Sequence, residues 1–200
     1  MDGEGDFEER DREMASRFAS AAKKSGVDRM VYLSGLHPCG ELSPHLASRV
    51  EVGKILLDSG VPTAVLQAGT VIGEGSASFE MLRYLTERLP VMVAPQWLRN
   101  RIQSIAIDDA LHDLVGAASL PAEVDRAFDI GGPEVMTYEQ MIQRFAAVTG
   151  LRRRLVLRVP VLTPWLASHW VGLITPVDAG VAKPLVGSLV HEVVRREEDL

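Results

Sequence analysis

The sequence predicts an α/β protein whose parallel sheet is doubly wound, with helices covering both faces. Near-continuous apolar runs, such as residues 30–34 and 62–73, have the composition of strands that are buried on both sides. Between them lie longer segments, such as 8–25, in which apolar residues recur at helical spacing. Alternation of strands and helices in this order is typical of a doubly wound parallel sheet.

The first two predicted elements are a helix and a short strand. Met14 and Phe18 lie one helical turn apart within 8–25, and Gly26 follows where a C-terminal cap is expected. The apolar run Met30 to Ser34 then predicts a buried strand, followed by a loop.

The next helix has clear signals at both of its ends. Ser43 is a favourable N-cap, and Pro44 suits the first helical position because its missing N–H would have no partner there. We expect the helix to reach about Ser59, with Gly60 as its cap. The second buried strand follows directly.

The remaining pattern repeats this design. Residues 79–89 predict a helix, and 101–120 predict a short extended segment that enters another helix. Residues 127–150 predict a strand, a Gly-Gly-Pro turn and a helix. Thr137 is expected to cap that helix, and Glu139 and Gln140 lie near the third helical position of a capping box.

Composition and charge argue against a nucleic-acid-binding protein and indicate the cellular compartment. The 200 residues are 46% hydrophobic and 24% charged, and the formal net charge of −6 argues against a general nucleic-acid partner. The one cation cluster, Arg152–Arg154, indicates a solvated helix end. A single cysteine, Cys39, and a polar, acidic N-terminus favour a reducing, cytoplasmic location.

One apolar segment raises the question of a membrane. Val159–Val177 contains no Asp, Glu, Lys or Arg, and its length approaches that of a bilayer-spanning helix. Pro160, Pro164 and Pro176 interrupt it, which favours a buried or interfacial helix that starts near Pro164. Contact with a partner or a membrane surface is the alternative.

Five stretches of the sequence together resemble one protein family. They are VDRMVYLSGL, HLASRVEVGKIL, GVPTAVLQAGTVIGEGSASFEMLRYL, FDIGGPEVMTYEQMI and VPVLTPWLASHWVGLITPV. The family is the atypical extended short-chain dehydrogenases/reductases, in particular the bacterial nucleoside-diphosphate-sugar epimerase-like group. The resemblance implies a Rossmann-like domain that binds NAD or NADP, and a small C-terminal substrate region.

The resemblance also implies how the chain is divided. Residues 1–132 correspond to the C-terminal half of the Rossmann-like domain, with 73–100 partly on the substrate side, and 133–200 to the small substrate or interaction region. The family's glycine-rich turn, which cradles the pyrophosphate, has no counterpart in this sequence. Gly73-x-Gly75 lacks the third glycine of that pattern. We therefore expect an N-terminally truncated domain, an exposed strand at 30–34, and either self-association or a missing N-terminal segment.

The resemblance places a catalytic pair on the helix after Pro44. His45 and Arg49 occupy the positions of the family's tyrosine and lysine, four residues apart on one helix face, and Ser34 most nearly matches its serine. A histidine can exchange protons near neutrality, whereas arginine stays charged and can only clamp a ribose or phosphate. Three interpretations remain open: active redox catalysis, a cofactor-contacting helix without chemistry, and a helix that only covers the sheet.

The cofactor-lining positions follow from the same resemblance. They are Ser34, Gly35, Arg49, Gln67, Ala68, Gly69 and Thr70. No metal site is expected, since the other histidines, His37, His112, His169 and His191, lack metal-ligand spacing and indicate surface or hydrogen-bonded residues.

Two functions are consistent with these residues. The first is an NAD(P)-dependent oxidoreductase or epimerase, acting on a small molecule that the sequence does not name, with weak or no activity by itself. The second is a non-catalytic scaffold or assembly protein, similar to the accessory subunit of mitochondrial respiratory complex I that belongs to this group.

Overall fold

A computed structural model describes residues 4–37, 42–159, 174–176 and 191–196. Cys39 and nearly all of Val159–Val177 lie outside these residues, so the interpretations of both stay predictions. Within the described ranges, no helix is long and apolar enough to cross a membrane.

Five helices and nine strands are described along the chain. In order they are α1 (Glu4–Lys24), β1 (Met30–Gly35), α2 (Pro44–Leu57), β2 (Thr63–Ala68), β3 (Val71–Ile72), α3 (Ala77–Arg88), β4 (Val91–Pro95), a 3₁₀ turn (Gln96–Arg99), β5 (Arg101–Gln103), β6 (Ile105–Ala106), α4 (Ile107–Ala118), β7 (Arg126–Ile130), β8 (Val135–Thr137), α5 (Tyr138–Val148) and β9 (Leu155–Val159).

The chain forms two compact units. The first contains the described residues of Met1–Gly69, Ile107–Gly131 and Arg195–Leu200, and the second those of Thr70–Ala106 and Gly132–Val194. The predicted division of the chain near residue 132 stays a prediction.

The first unit is organised around a parallel three-stranded sheet in the order β1-β2-β7. Its middle strand, β2, is buried at all six positions, as expected for a strand covered on both faces. Helices α2 and α4 both contact β1 and β2. The predicted α/β fold with parallel strands is confirmed.

Helix α2 packs closely on the sheet because of a glycine. A Cβ on Gly53 would lie 3.4 Å from Val65 Cγ1, so the missing side chain brings the helix axis near β2. Helix α2 also contributes to an apolar cluster that it shares with α1 and β1. Its buried members are Ala19, Ala22, Met30, Leu56 and Val61.

The second unit contains three separate strand pairs and two helices. Strands β3 and β6 are parallel, β4 and β9 are parallel, and β5 and β8 are antiparallel. The predicted capping box starts α5: Thr137 Oγ1 accepts from Gln140 N at 3.1 Å, and Gln140 Oε1 accepts from Thr137 N at 2.7 Å.

One expectation about the arginine cluster is wrong. Arg154 is only 8% exposed, and its Nε donates to the carbonyl oxygen of Thr86 at 2.8 Å. Its neighbours Arg152 and Arg153 are exposed. The cluster precedes β9 rather than ending a helix, because α5 stops at Val148.

Candidate functional site

Strands β1 and β2 end side by side in the first unit. Ser34 pairs in register with Gln67, and Gly35 with Ala68, at the last two positions of each strand. In open parallel sheets, ligands bind in the crevice outside the carboxyl ends of the strands. Four of the predicted cofactor-lining residues therefore meet at the edge where such a crevice is expected.

Ser34 is the least satisfied polar residue at this edge. It is 6% exposed, and among the described residues its hydroxyl has no hydrogen-bond partner. Leaving a buried hydroxyl unpaired costs about 1–3 kcal/mol. The hydroxyl is thus free to donate to, or accept from, a ligand oxygen or nitrogen.

A histidine that the sequence reasoning treated as ordinary lies next to this serine's strand partner. His37 Nε2 is 3.3 Å from Gln67 Nε2, and Gln67 is only 8% exposed. The one signal in the sequence is position, because His37 follows the end of β1 by two residues. The site therefore includes a titratable group that was not predicted.

The start of α2 carries the predicted catalytic pair. Ser43 Oγ accepts from Leu46 N at 3.3 Å, which caps the helix and fixes where its first turn begins. A Cβ on Gly35 would lie 3.1 Å from Leu46 Cδ2. Gly35 thus allows the first turn of α2 to approach the end of β1, so this glycine serves helix packing.

His45 lies against α1. Its ring centroid is 6.1 Å from that of Phe7, and the side chain is half-buried. Burial lowers the pKa of His45 below its ordinary value of 6.5, and the nearby charge of Arg49 lowers it further, while Asp11 opposes the shift. The neutral imidazole is therefore favoured.

Arg49 has a different neighbour from His45. Its Nη1 donates to the hydroxyl oxygen of Tyr32, on β1, at 3.4 Å. Between the two, Ser48 donates to the Asp11 carboxylate at 2.8 Å. The pair shares one helix, but His45 packs on α1 whereas Arg49 is directed to the sheet.

The last predicted positions have structural partners of their own. The carbonyl oxygen of Ala68 accepts from Leu36 N at 2.7 Å and so ties down the start of the loop after β1. Thr70 belongs to the second unit, where it accepts from Ile105 N at 3.1 Å and bonds to the buried hydroxyl of Tyr138. Burial raises the pKa of Tyr138, and the bond to Thr70 lowers it. The contacts of Thr70 therefore explain it without a ligand.

No protein-family model matches this sequence, and no curated protein matches it. Solved structures do. The Citrobacter sp. triphenylmethane reductase complexed with NADP(H) aligns with a TM-score of 0.65 at 16% identity, over 92% of this chain and 63% of that one. The NADPH-dependent quinone oxidoreductase QOR2 of Escherichia coli aligns with a TM-score of 0.64 at 21% identity, over 88% and 59%.

A sugar-nucleotide enzyme is also similar. The UDP-N-acetylglucosamine 4-epimerase of Methanobrevibacter ruminantium has a TM-score of 0.58 at 13% identity, over 74% of this chain and 55% of that one. The chain thus spans 55 to 63% of the length of these three structures. At such low identities the similarity concerns the fold, which is Rossmann-like, as the resemblance implied.

Proposed function

We propose that this chain binds the nicotinamide end of NAD or NADP. We further propose that it is an oxidoreductase of the epimerase/dehydratase-like short-chain dehydrogenase group, with weak activity by itself. The observation that carries the proposal is the buried, unpaired hydroxyl of Ser34 at the carboxyl end of β1. A ligand bound at the strand ends, where ligands of open parallel sheets bind, would satisfy this unpaired hydroxyl.

The residues at this edge suit the nicotinamide half of the cofactor. Its carboxamide and ribose present donors and acceptors, and the Ser34 hydroxyl can serve as either. Arg49 uses one guanidinium nitrogen on Tyr32 and has further N–H donors for a ribose hydroxyl. When bound, the cofactor supplies a hydride, while these side chains hold and orient its reacting ring.

The phosphate half of the cofactor has no corresponding site in this sequence. Rossmann domains bind the pyrophosphate with the backbone of a glycine-rich turn at a helix N-terminus, and no Gly-x-x-Gly-x-x-Gly pattern occurs here. Interactions restricted to one end of the dinucleotide give weak binding. Because the cofactor is bound weakly, we also expect the activity to be weak.

Calorimetric titration of the chain with NADH and with NADPH tests this proposal. We expect heats that fit dissociation constants in the millimolar range, because one half of each ligand is not contacted. A micromolar dissociation constant would show that the chain also binds the phosphates. The absence of any binding would contradict the proposed nicotinamide site. A useful control is Ser20→Ala, which alters an exposed serine on α1.

An assembly role is the second candidate, and exposed apolar side chains favour it. In the first unit such side chains occur on α1, β1 and α4, and their exposed fractions are 69% for Met14, 60% for Phe18, 37% for Leu33, 51% for Leu111 and 73% for Val115. Among the described strands, β1 pairs with β2 only. An edge strand with apolar flanks is a site where another chain can pair.

A further inference from the structure

His37, to which the family resemblance assigns no role, forms a pair with Gln67, one of the predicted cofactor-lining residues. Gln67 is anchored in β2, the middle strand of the sheet, and its amide nitrogen lies 3.3 Å from His37 Nε2. His37 is half-buried at the start of the loop that follows β1. The fully buried middle strand of the first unit therefore holds an imidazole at the edge where the candidate site lies.

The contact occupies one nitrogen of the ring and leaves the other available. Nδ1 of His37 has no hydrogen-bond partner in the part of the chain that the structure describes. An amide can donate to Nε2 of a neutral imidazole or, after rotation, accept from the N–H of an imidazolium. A carboxylate in place of the Gln67 amide would instead favour the charged imidazolium of His37. Gln67 thus fixes the position of His37 in either protonation state.

Ser34 connects this pair to a ligand. It is the register partner of Gln67 on the neighbouring strand, and its buried hydroxyl is unpaired among the described residues. Register partners in adjacent parallel strands lie side by side on one face of the sheet. A ligand oxygen that bonds to Ser34 therefore lies beside the residue that positions His37.

His45 is less suited to proton exchange than His37. Its ring packs on Phe7, and burial together with Arg49 lowers the pKa of His45. The charged groups near His45 are Arg49 on its own helix and Asp11 on α1. Its contacts thus direct it to the α1–α2 packing rather than to the ends of the strands.

We propose that His37, held by Gln67, exchanges a proton with a substrate carbonyl or hydroxyl oxygen that Ser34 hydrogen-bonds, and that His45 does not. This proposal rests on the proposed function. In the reducing direction, the reduced nicotinamide, when bound, would supply a hydride with its electron pair to the carbonyl carbon. The carbonyl oxygen takes the Nδ1 proton of the His37 imidazolium. The products would be an alcohol, the oxidised nicotinamide and a neutral His37 that keeps its Nε2 proton against the rotated amide oxygen of Gln67. Proton exchange with water then returns the ring to its resting form.

The first test reads the ring of His37 directly, without cofactor. In protein with ¹⁵N-labelled histidine, ring nitrogen shifts report which nitrogen carries the proton, and His37→Asn identifies the His37 signal. We expect neutral His37 to carry its proton on Nδ1, and Gln67→Leu to change this to a mixture of tautomers. The exposed His112 is the internal control. Identical His37 spectra in the wild type and Gln67→Leu would contradict the proposal.

The second test measures turnover. NADPH at millimolar concentration and para-nitrobenzaldehyde serve as the probes, and the loss of NADPH absorbance gives the rate. We expect His37→Asn to lower kcat by about 100-fold or more, as removal of an acid–base group does. The KM for NADPH should stay unchanged. His112→Asn is the matched control and should behave as the wild type.

The outcomes separate the two proposals. If NADPH does not bind, the proposed function is wrong, and the proposed role of His37 is wrong as well. If NADPH binds but the wild type does not reduce the aldehyde, the cofactor site stands, while the proposed oxidoreductase activity and the role of His37 are both overturned. If the wild type reduces the aldehyde and His37→Asn keeps the rate, only the role of His37 is overturned. If His45→Asn loses the rate and His37→Asn does not, the proposal is also overturned. Proton exchange would then belong to His45, at the position of the family's tyrosine.

Discussion

Strands β1 and β2 are both six residues long, run parallel and pair along their whole length, yet their environments differ. Every position of β2 is buried, whereas only two positions of β1 are. Leu33 and Leu66 show the difference most clearly. They are register partners, but Leu33 is 37% exposed and Leu66 is fully buried.

The comparison separates what stabilises this unit from what it presents to other molecules. Strand β2 lies between β1 and β7 and supplies the core, while β1 has one strand partner among the described residues. The exposed edge of β1 and the polar ends of both strands carry the candidate functions. We therefore expect substitutions at the apolar positions of β2 to affect folding, and substitutions at the edge of β1 or at the polar strand ends to affect association or ligands.

The largest expected effect is on folding, and the register pair provides its own control. Leu66→Ala should lower the free energy of unfolding by about 2–5 kcal/mol, because it removes buried methyl groups and leaves a cavity. Leu33→Ala should cost about 1 kcal/mol or less, since its side chain is partly in water. Urea denaturation measures both. Equal losses of unfolding free energy at Leu33 and Leu66 would show that the two strands contribute equally to the core.

Association should respond in the opposite way. We expect the wild-type chain to elute in size-exclusion chromatography with at least twice the mass of one chain, because an apolar strand edge invites pairing. The double variant Leu33→Lys, Val115→Lys should shift it toward the monomer. Val148→Lys, which changes an 82% exposed valine on α5 in the second unit, is the matched control. A monodisperse wild-type monomer would refute the assembly role.

The smallest effect concerns pH and the helix that lies over the end of β1. The pKa of His45 is lower in the folded chain than its ordinary value of 6.5, so the unfolded chain binds a proton more readily. The free energy of unfolding should therefore fall as pH drops below about 6.5, until the folded pKa is passed.

His45→Gln should make this part of the pH dependence disappear, as measured by urea denaturation at several pH values between 5 and 8. His112→Gln, on the exposed face of α4, should leave it unchanged. If His45→Gln shows the same slope as the wild type, the burial of this ring does not control its charge.

Local signals in the sequence predicted the helices well. The cap by Ser43 and the capping box of Thr137 and Gln140 involve residues three apart, so the pattern of residues alone reveals them. Strands β1 and β2 were visible as apolar runs, although only two of the six positions of β1 are buried. The caps and the apolar runs are local signals, so each could be recognised within its own segment.

Features that depend on distant parts of the chain were missed. Strands β4 and β9 exist through pairing between residues more than sixty positions apart, and each is exposed at alternate residues on one side. The contact of His37 with Gln67 joins residues 30 apart. The burial of Arg154 depends on a carbonyl of α3, 68 residues away. None of these contacts leaves a pattern in its own segment.

The positions given by the family resemblance stay predictions, although the structure limits what each can do. Ser34, Gly35, Gln67 and Ala68 meet at one edge, and Arg49 contacts the first of these strands through Tyr32. Thr70 has its partners in the second unit. His45 packs against Phe7.

The most direct test compares the two halves of the cofactor by NMR, with reduced nicotinamide mononucleotide in one titration and adenosine monophosphate in the other. We predict that the nicotinamide half shifts the backbone signals of Ser34 and Gln67 at millimolar concentration, that Ser34→Ala abolishes these shifts, and that the adenosine half has no effect. Equal responses to both halves, or shifts that persist in Ser34→Ala, would contradict the account.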